Sequence, residues 1–590
     1  MLSAVIFGVL AAFLGAIPYL GIKDNHSDSS SWVLFMAFIV NGLIGFGVGY
    51  ASCLGFYGPL GLSGDAAIGL LLLMGINTVL ACLFSDSVTG GSLLALCLVM
   101  VLGFIGLSGA GCFRANDYQR MIGTIDDRRW QEDFSPVDVT HIRVVSEEQA
   151  RWLGDKVIGE APGSLGSRYR VGKFSIQRVR GELHWVAPLE FNSFSKWMSY
   201  GTTPGFVMVN AENRNIQARL VTKVGDKELR LRYLDSAFWG DNLARFVRGR
   251  YISTGLADYT FELDDHLKPY WTITVFEPSI GFWGPKVKGV LTVDPENGVV
   301  EFYDEKQGIP DWIDRVYPEE FVGDYLSWHG KYVQGWINSW WSEENVEVPT
   351  PFEGDPNALW MVWGSDGEPY WFTGLTSSSD SDQSLTGFML VNTRTGAARR
   401  YRVTGPNETA VLQATDSAVS NFRGYHGTQP ILYNIFGELT WVVPVVSDAH
   451  ILQKVACVRA SNAMVDLGDD VESALRAYRS RIAREGFTTA PTSHSAIIKK
   501  DGLTVARIGE EGGVRYLLFE ELPDRIFSVG NGISPELAVT RIGDKVAIEY
   551  LETDDSIVPV LKFDNQALNI RKSKEQEELD RRNEITPEKK

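Results

Sequence analysis

Two short clusters in the 590-residue chain hold side chains of the types that acid–base or metal chemistry needs. Asp264-Asp265-His266 sets two carboxylates beside an imidazole, which could serve as a general acid and base or as ligands for a divalent metal. Consecutive residues point in different directions, however, and Asp and Gly occupy the same place in other copies of the surrounding pattern, so the cluster reads as a hairpin turn. Glu319-Glu320 is the second pair. It opens a helical pattern, where adjacent acids diverge and first-turn carboxylates favour the helix dipole. A loop ending Gly172-Lys173-Phe174-Ser175 is a near miss for a phosphate loop. Counted from Gly166 it is one residue too long, and Phe174 stands where a Mg²⁺-binding hydroxyl is needed.

The wider search yields no further constellation. The eight His are scattered, with no His-Glu-x-x-His, no Cys-x-x-Cys and no Gly-x-Ser-x-Gly. Cys457 sits in an apolar strand pattern and reads as structural. The expectation is a protein that is not an enzyme, with no catalytic residue, no metal site and no cofactor. An enzyme with an unrecognised site stays as an alternative, because sites also assemble from distant residues.

The elements that would position any site come from a repeated pattern. Pro269-Tyr270-Trp271 begins a strand that a loop joins to Gly289-Val290-Leu291-Thr292-Val293-Asp294, and Pro369-Tyr370-Trp371 leads in the same way to Gly387 through Asn392. Looser copies run from Leu183-His184-Trp185 to Asn210 and from Leu439-Thr440-Trp441 to about Ser461. Each Trp follows a Gly- or Asp-containing turn and lies among β-branched or aromatic neighbours. Trp185, Trp271, Trp371 and Trp441 are therefore expected in the cores of four antiparallel sheets. Helical patterns precede the units: Ser146 to about Ile158 with a capping box, Ser236 to Arg248, Pro318 to about Trp341, and Asn407 to Phe422. In the third of these, Trp336, Trp340 and Trp341 form an aromatic run in which Trp336 and Trp340 share a face, a candidate interface.

A helix followed by strands bearing Pro-Tyr-Trp, then a hydrophobic-Val-Asp-Pro-x-x-Gly turn, resembles the PepSY type of bacterial envelope domain. Residues 269–303 carry the likeness best and 369–401 next. The resemblance implies modules that occupy or position an envelope hydrolase or peptidase.

Residues 1–112 differ from the rest. They contain one Lys, Lys23, no Arg, and four acids, Asp24, Asp28, Asp65 and Asp86. Apolar runs at 2–22, 32–54, 66–84 and 92–112 approach the ~20 residues that cross a bilayer as a helix. The small-residue series Gly45/Gly49 and Gly103/Gly106/Gly109 favours helix association and a homo-oligomer. Ionisable residues are missing inside these runs, which argues against a pump. The expectation is a four-helix transmembrane anchor in a bacterial cytoplasmic membrane, with the lipid bilayer as a partner. Arg114, Arg120, Arg128 and Arg129 place residues 113–590 in the cytoplasm, whereas the resemblance implies the outer side, so sidedness stays open. Of 55 basic and 73 acidic residues in the chain, 54 and 69 lie beyond residue 112. That acidic balance excludes nucleic acid as a partner.

The fold class expected is thus multi-domain: the four-helix anchor, α+β tandem repeats of a helix plus a four-stranded antiparallel sheet, and a small C-terminal β-barrel or sandwich. The boundaries are 1–112 for the anchor, 113–222 for connector and first repeat, 223–310, 311–404 and 405–487 for the other repeats, 496–570 for the β domain, and 571–590 for a disordered charged tail. The function expected is a membrane-anchored, non-catalytic scaffold that binds partner proteins or self-assembles. A PepSY-like regulator of an envelope hydrolase or peptidase is the alternative.

Overall fold

The computed structural model describes residues 8–13, 16, 27–54, 76–77, 109–134, 137 and 141–568, less 252–253, 282, 353–357, 365, 378–382, 485–496, 512–513, 531–532 and 552–556. The tail 571–590 and most of the apolar runs at 2–22, 66–84 and 92–112 lie outside the described residues. Two compact units divide the chain. One holds residues 1–431, 443–453 and 460–463, and the other holds 432–442, 454–459 and 464–590.

The expected four-helix anchor is corrected. A helix spans Ser27–Leu54, opening on a polar Ser/Asp turn. Its Asn41 side chain exchanges amide hydrogen bonds with Asn77, at 2.9 and 2.7 Å. Yet among the described residues no helix is long and apolar enough to cross a membrane. Counting apolar residues along a sequence assumes that each run is one continuous helix, and only such a helix satisfies its own backbone in lipid. The multi-pass reading and the cytoplasmic-membrane location rested on that assumption and are withdrawn with it.

The α+β class is corrected as well, because strands dominate. The pattern from Ser236 to Arg248 forms only a 3₁₀ turn, Trp239–Asp241, and a short helix, Leu243–Arg248. The long helix expected from Pro318 to Trp341 is two pieces, Glu319–Lys331 and Gly335–Trp341. Gly335, with φ of 84°, makes the break in the left-handed region that glycine enters without strain. The connector contributes a strand too: Ile125–Arg128 pairs in parallel with Ala398–Tyr401.

In the larger unit three sheets carry the first three Trp strands. The first has the order Tyr169–Val171, Glu182–Phe191, Phe206–Asn210, Arg219–Val221, with Ser175–Val179 also on Glu182–Phe191. The second runs Val300–Asp304, Trp283–Val293, Pro269–Ile280, Gly255–Leu263. The third runs Ile125–Arg128, Ala398–Pro406, Ser384–Asn392, Pro369–Ser377, Glu347–Pro349, with Trp360–Trp363 also on Pro369–Ser377.

One polar lock recurs in all three. The indole N–H of Trp185 donates to the Val145 carbonyl at 2.8 Å, that of Trp271 to Tyr233 at 2.9 Å, and that of Trp371 to Tyr317 at 2.8 Å. The accepting residue and the one before it both donate their backbone N–H to a single carbonyl beyond the next strand. These carbonyls belong to Ala211, Pro295 and Thr393. Just before each, Asn210, Asp294 or Asn392 uses Oδ1 to accept from the N–H groups two and three residues on. Such Asx turns explain why the sequence repeats Asn or Asp there. Gly289, expected to open its strand, lies inside Trp283–Val293 with φ of 152°, and a Cβ there would come within 2.1 Å of the Tyr303 carbonyl. Only glycine lets the strands approach so closely.

A fourth sheet has the order Tyr425–Gly427, Glu438–Ser447, Leu452–Arg459, Val465–Gly468, with Ile431–Ile435 beside Glu438–Ser447. Trp441 is fully buried in it. In the smaller unit, Thr440 donates its hydroxyl to the buried Tyr478 oxygen at 2.6 Å. Tyr478 belongs to the helix Val471–Arg484, which packs on two strands of a closed barrel. The barrel joins Ile497–Glu511, Val514–Phe519, Leu522–Gly530, Ile557–Asn565 and Lys545–Leu551 around Val505, Leu517, Phe519, Phe527 and Ile548.

Candidate functional site

The residues singled out from sequence fall into separate places. Asp264 Oδ1 accepts from the backbone N–H groups of His266 at 2.9 Å and Lys268 at 2.8 Å, so the Asp-Asp-His cluster is a hairpin turn. Glu319 and Glu320 occupy the first turn of their helix. The near-phosphate loop is no cradle, since Gly172 packs against the Glu190 side chain and Pro188. Burial pushes the Cys457 thiol up, consistent with an inert position. Among the described residues no group of three or more His, Cys, Asp or Glu could hold a metal ion. Trp336 and Trp340 stack at 6.2 Å between centroids, with Trp341 edge-on to Trp340. With Ile337 they form an exposed face: Ile337, Trp340 and Trp341 are 71%, 69% and 78% accessible.

A second constellation escaped sequence reasoning. Strand Glu182–Phe191 ends beside Asp235-Ser236, where the Phe191 N–H donates to Ser236 Oγ at 2.9 Å. That contact brings Glu190 and Asp235 together. Glu190 is buried and accepts from Arg170 at 3.2 Å. Asp235 stays open to solvent, yet the surrounding protein desolvates it and, with the Glu190 charge, raises its carboxyl to about 6, partly offset by Lys173. The Tyr259 hydroxyl is buried without a hydrogen-bond partner, and desolvation pushes it up to about 12.

Three to seven residues further along the two segments lies an aromatic cluster. Phe194 and Trp197, on the helix Phe194–Tyr200, meet Phe238 and Trp239 at centroid distances of 5.0 to 5.7 Å. Trp239 stands edge-on to Trp197 at 89°, is 53% accessible and has φ of 52°. A bulky residue in that region is strained. The turn is nevertheless held by Asn242 Nδ2 to the Asp235 carbonyl at 2.9 Å and by Arg232 Nε to Asp241 at 2.8 Å. The sequence carried only a weak signal here: Phe-x-x-Trp at 194–197 and Phe-Trp at 238–239, in unrelated stretches.

A third group is interior. Glu262 accepts from the Asp314 N–H at 3.0 Å and from the Thr272 hydroxyl at 3.1 Å, while Asp314 accepts from the Arg178 N–H at 3.1 Å. Burial, reinforced by the Asp314 charge, holds Glu262 well above the usual carboxylate range. Burial does the same to Asp314, opposed by the Arg178 N–H and by Arg394 and Arg315.

No family model and no curated protein matches the chain. Among solved structures it is similar to a Trypanosoma rangeli sialidase in complex with the inhibitor DANA, at 10% identity. The alignment covers 66% of this chain and 54% of the sialidase, about half its length, with a TM-score of 0.17. A superposition that loose defines no common fold.

Proposed function

We propose that the chain is an interaction protein, whose linked sheets hold out a tryptophan face to a partner protein. The observation that carries this reading is the exposed Trp336, Ile337, Trp340 and Trp341 on one seven-residue helix. Large aromatic side chains left in water are costly, and Trp is the side chain most enriched at interface hot spots. The face is firmly backed. Asn338 on its inner side accepts from the Glu344 N–H at 3.1 Å and donates to the Glu344 carbonyl at 3.0 Å. The repeated indole locks support the same reading, since they fasten each sheet to the segment that enters it and give the face a stable base.

The test is a photo-crosslinking residue at Ile337 in the full-length chain, expressed in its own cells. One adduct of fixed mass is expected, absent when Trp340→Ser and Trp341→Ser are combined. No adduct above the unirradiated control, or one that survives the double substitution, would overturn the proposal. An adduct of twice the chain mass would identify the partner as a second copy.

A further inference from the structure

A different surface suggests a ligand of another kind. We infer that the aromatic shelf of Phe194, Trp197 and Trp239, with the adjoining carboxylates of Asp235 and Glu190, is a binding site for a neutral saccharide.

The argument starts from what the shelf offers. Trp239 presents its ring to solvent from a backbone conformation that costs energy, in a turn fastened on both sides. Strain of this sort persists where the surroundings over-determine it, and it concentrates at binding sites. Beneath it, Trp197 is nine-tenths buried and its indole N–H has no hydrogen-bond partner. That N–H is shut off from solvent, so the surface open to a ligand is the Trp239 ring above it. An exposed indole also takes up the C–H face of a pyranose ring, which is apolar and flat.

The charges decide between ligand classes. A quaternary ammonium also favours aromatic rings, but it wants uncompensated negative charge nearby. Here Glu190 is already paired with Arg170, Lys173 lies close enough to act on Asp235, and Arg168 sits 5.0 Å over the Tyr200 ring. Acceptors and donors are therefore interleaved, with no strong net field. A polyol matches that arrangement, because each hydroxyl both donates and accepts. The same mixed field gives an acidic saccharide no advantage over a neutral one, and preferential binding of an acidic sugar would overturn the inference.

The experiment uses the full-length protein on a glycan array of neutral, amino and acidic sugars, followed by calorimetry with the best neutral oligosaccharide. Trp239→Ala should weaken binding by about tenfold or more, the loss of one stacking contact. Trp239→Phe, which keeps an aromatic face, should retain most of the affinity, and Asp235→Asn should weaken binding several-fold. Unchanged amide hydrogen exchange in strand Glu182–Phe191 would show that the variants are folded. No neutral glycan bound, equal affinity in Trp239→Ala, or tetramethylammonium competing for the site would each overturn the inference.

Discussion

Replacing Glu262 by Gln should stabilise the larger unit near and above neutral pH and change it little in acid. The folded-state pKa of Glu262 is raised above its ordinary 4.5, so the folded chain keeps a proton that the unfolded chain has released. Stability is then fully present below 4.5 and is lost as pH climbs toward the raised folded value. Each proton retained gives a slope of about 1.4 kcal/mol per pH unit. Asp314 acts in the same direction from 3.8 upward. Where both protons are retained the fall is about 2.7 kcal/mol per unit, and Glu262→Gln should halve it. The amide fits the same place. Its oxygen can accept from the Asp314 N–H, and its NH₂ can donate to Thr272 Oγ1, whose hydroxyl turns to the Thr260 carbonyl 3.3 Å away. The assay is native-state hydrogen exchange of strand Gly255–Leu263, corrected for intrinsic rates, from about pH 5 to about pH 7. Parallel slopes in wild type and variant would refute the reasoning, because they would mean that Glu262 binds its proton equally in both states.

The packing has other consequences. Trp371→Phe removes the donor to the Tyr317 carbonyl and some buried volume, and should cost about 2–4 kcal/mol, read as faster exchange at Val316 and Tyr317. Gly289→Ala should destabilise by more than about 2 kcal/mol in a thermal melt, since its methyl would collide with the Tyr303 carbonyl. Gly159→Ala makes the contrast: it lies in the helix Glu147–Glu160 with open space around it and should stabilise by up to about 1 kcal/mol. Ser146→Ala deletes the Oγ that accepts from the Gln149 N–H and should cost about 1 kcal/mol, measured as fraying of that helix.

What the sequence disclosed was local. Trp271 after an Asp turn, then Gly289, then Asp294 two residues ahead of Glu296, are each fixed by strand alternation or by turn chemistry, both of which act within a few residues. In the structure Trp271 pairs with Val293 and Trp371 with Val391, next to the Asx residues that end those strands. What stayed hidden depended on distance. Nothing near Ile125 announces a parallel partner at Ala398, and Glu190 and Asp235 meet only because Phe191 bonds Ser236. The aromatic shelf is assembled from two such segments, so no motif search could find it. The exposed face at Trp336–Trp341 was legible as a run of aromatics, but the break at Gly335 that gives it a helix of its own was not. The anchor was misjudged for a different reason: composition counts apolar residues without asking whether one helix joins them.

The buried acids acquire meaning from where the lock repeats. Arg143, two residues before Val145, stands 5.8 Å over Trp185, and Arg315, two before Tyr317, stands 5.0 Å over Trp371. Arg143 and Arg315 thus hold equivalent places on the first and third sheets. The residue before each differs, Ile142 in one and Asp314 in the other, and only the second carries a titratable group. Asp314 is tied to three sheets at once. It accepts from Arg178 on the first, donates its N–H to Glu262 on the second, and its carbonyl accepts from the hydroxyl of Thr393, in the turn that follows a strand of the third. Around it Arg315 pairs with Asp258, and Arg394 with Asp311 and Glu368, so those cations are already committed. Charging Asp314 should therefore loosen this joint before the rest of the unit. Corrected for intrinsic rates, raising the pH ought to speed exchange at Val316 and Tyr317, which bond Thr393, more than at Val144 and Val145, which bond Ala211 in the same way. Equal acceleration at both pairs would show that the pH response belongs to global unfolding and not to this joint.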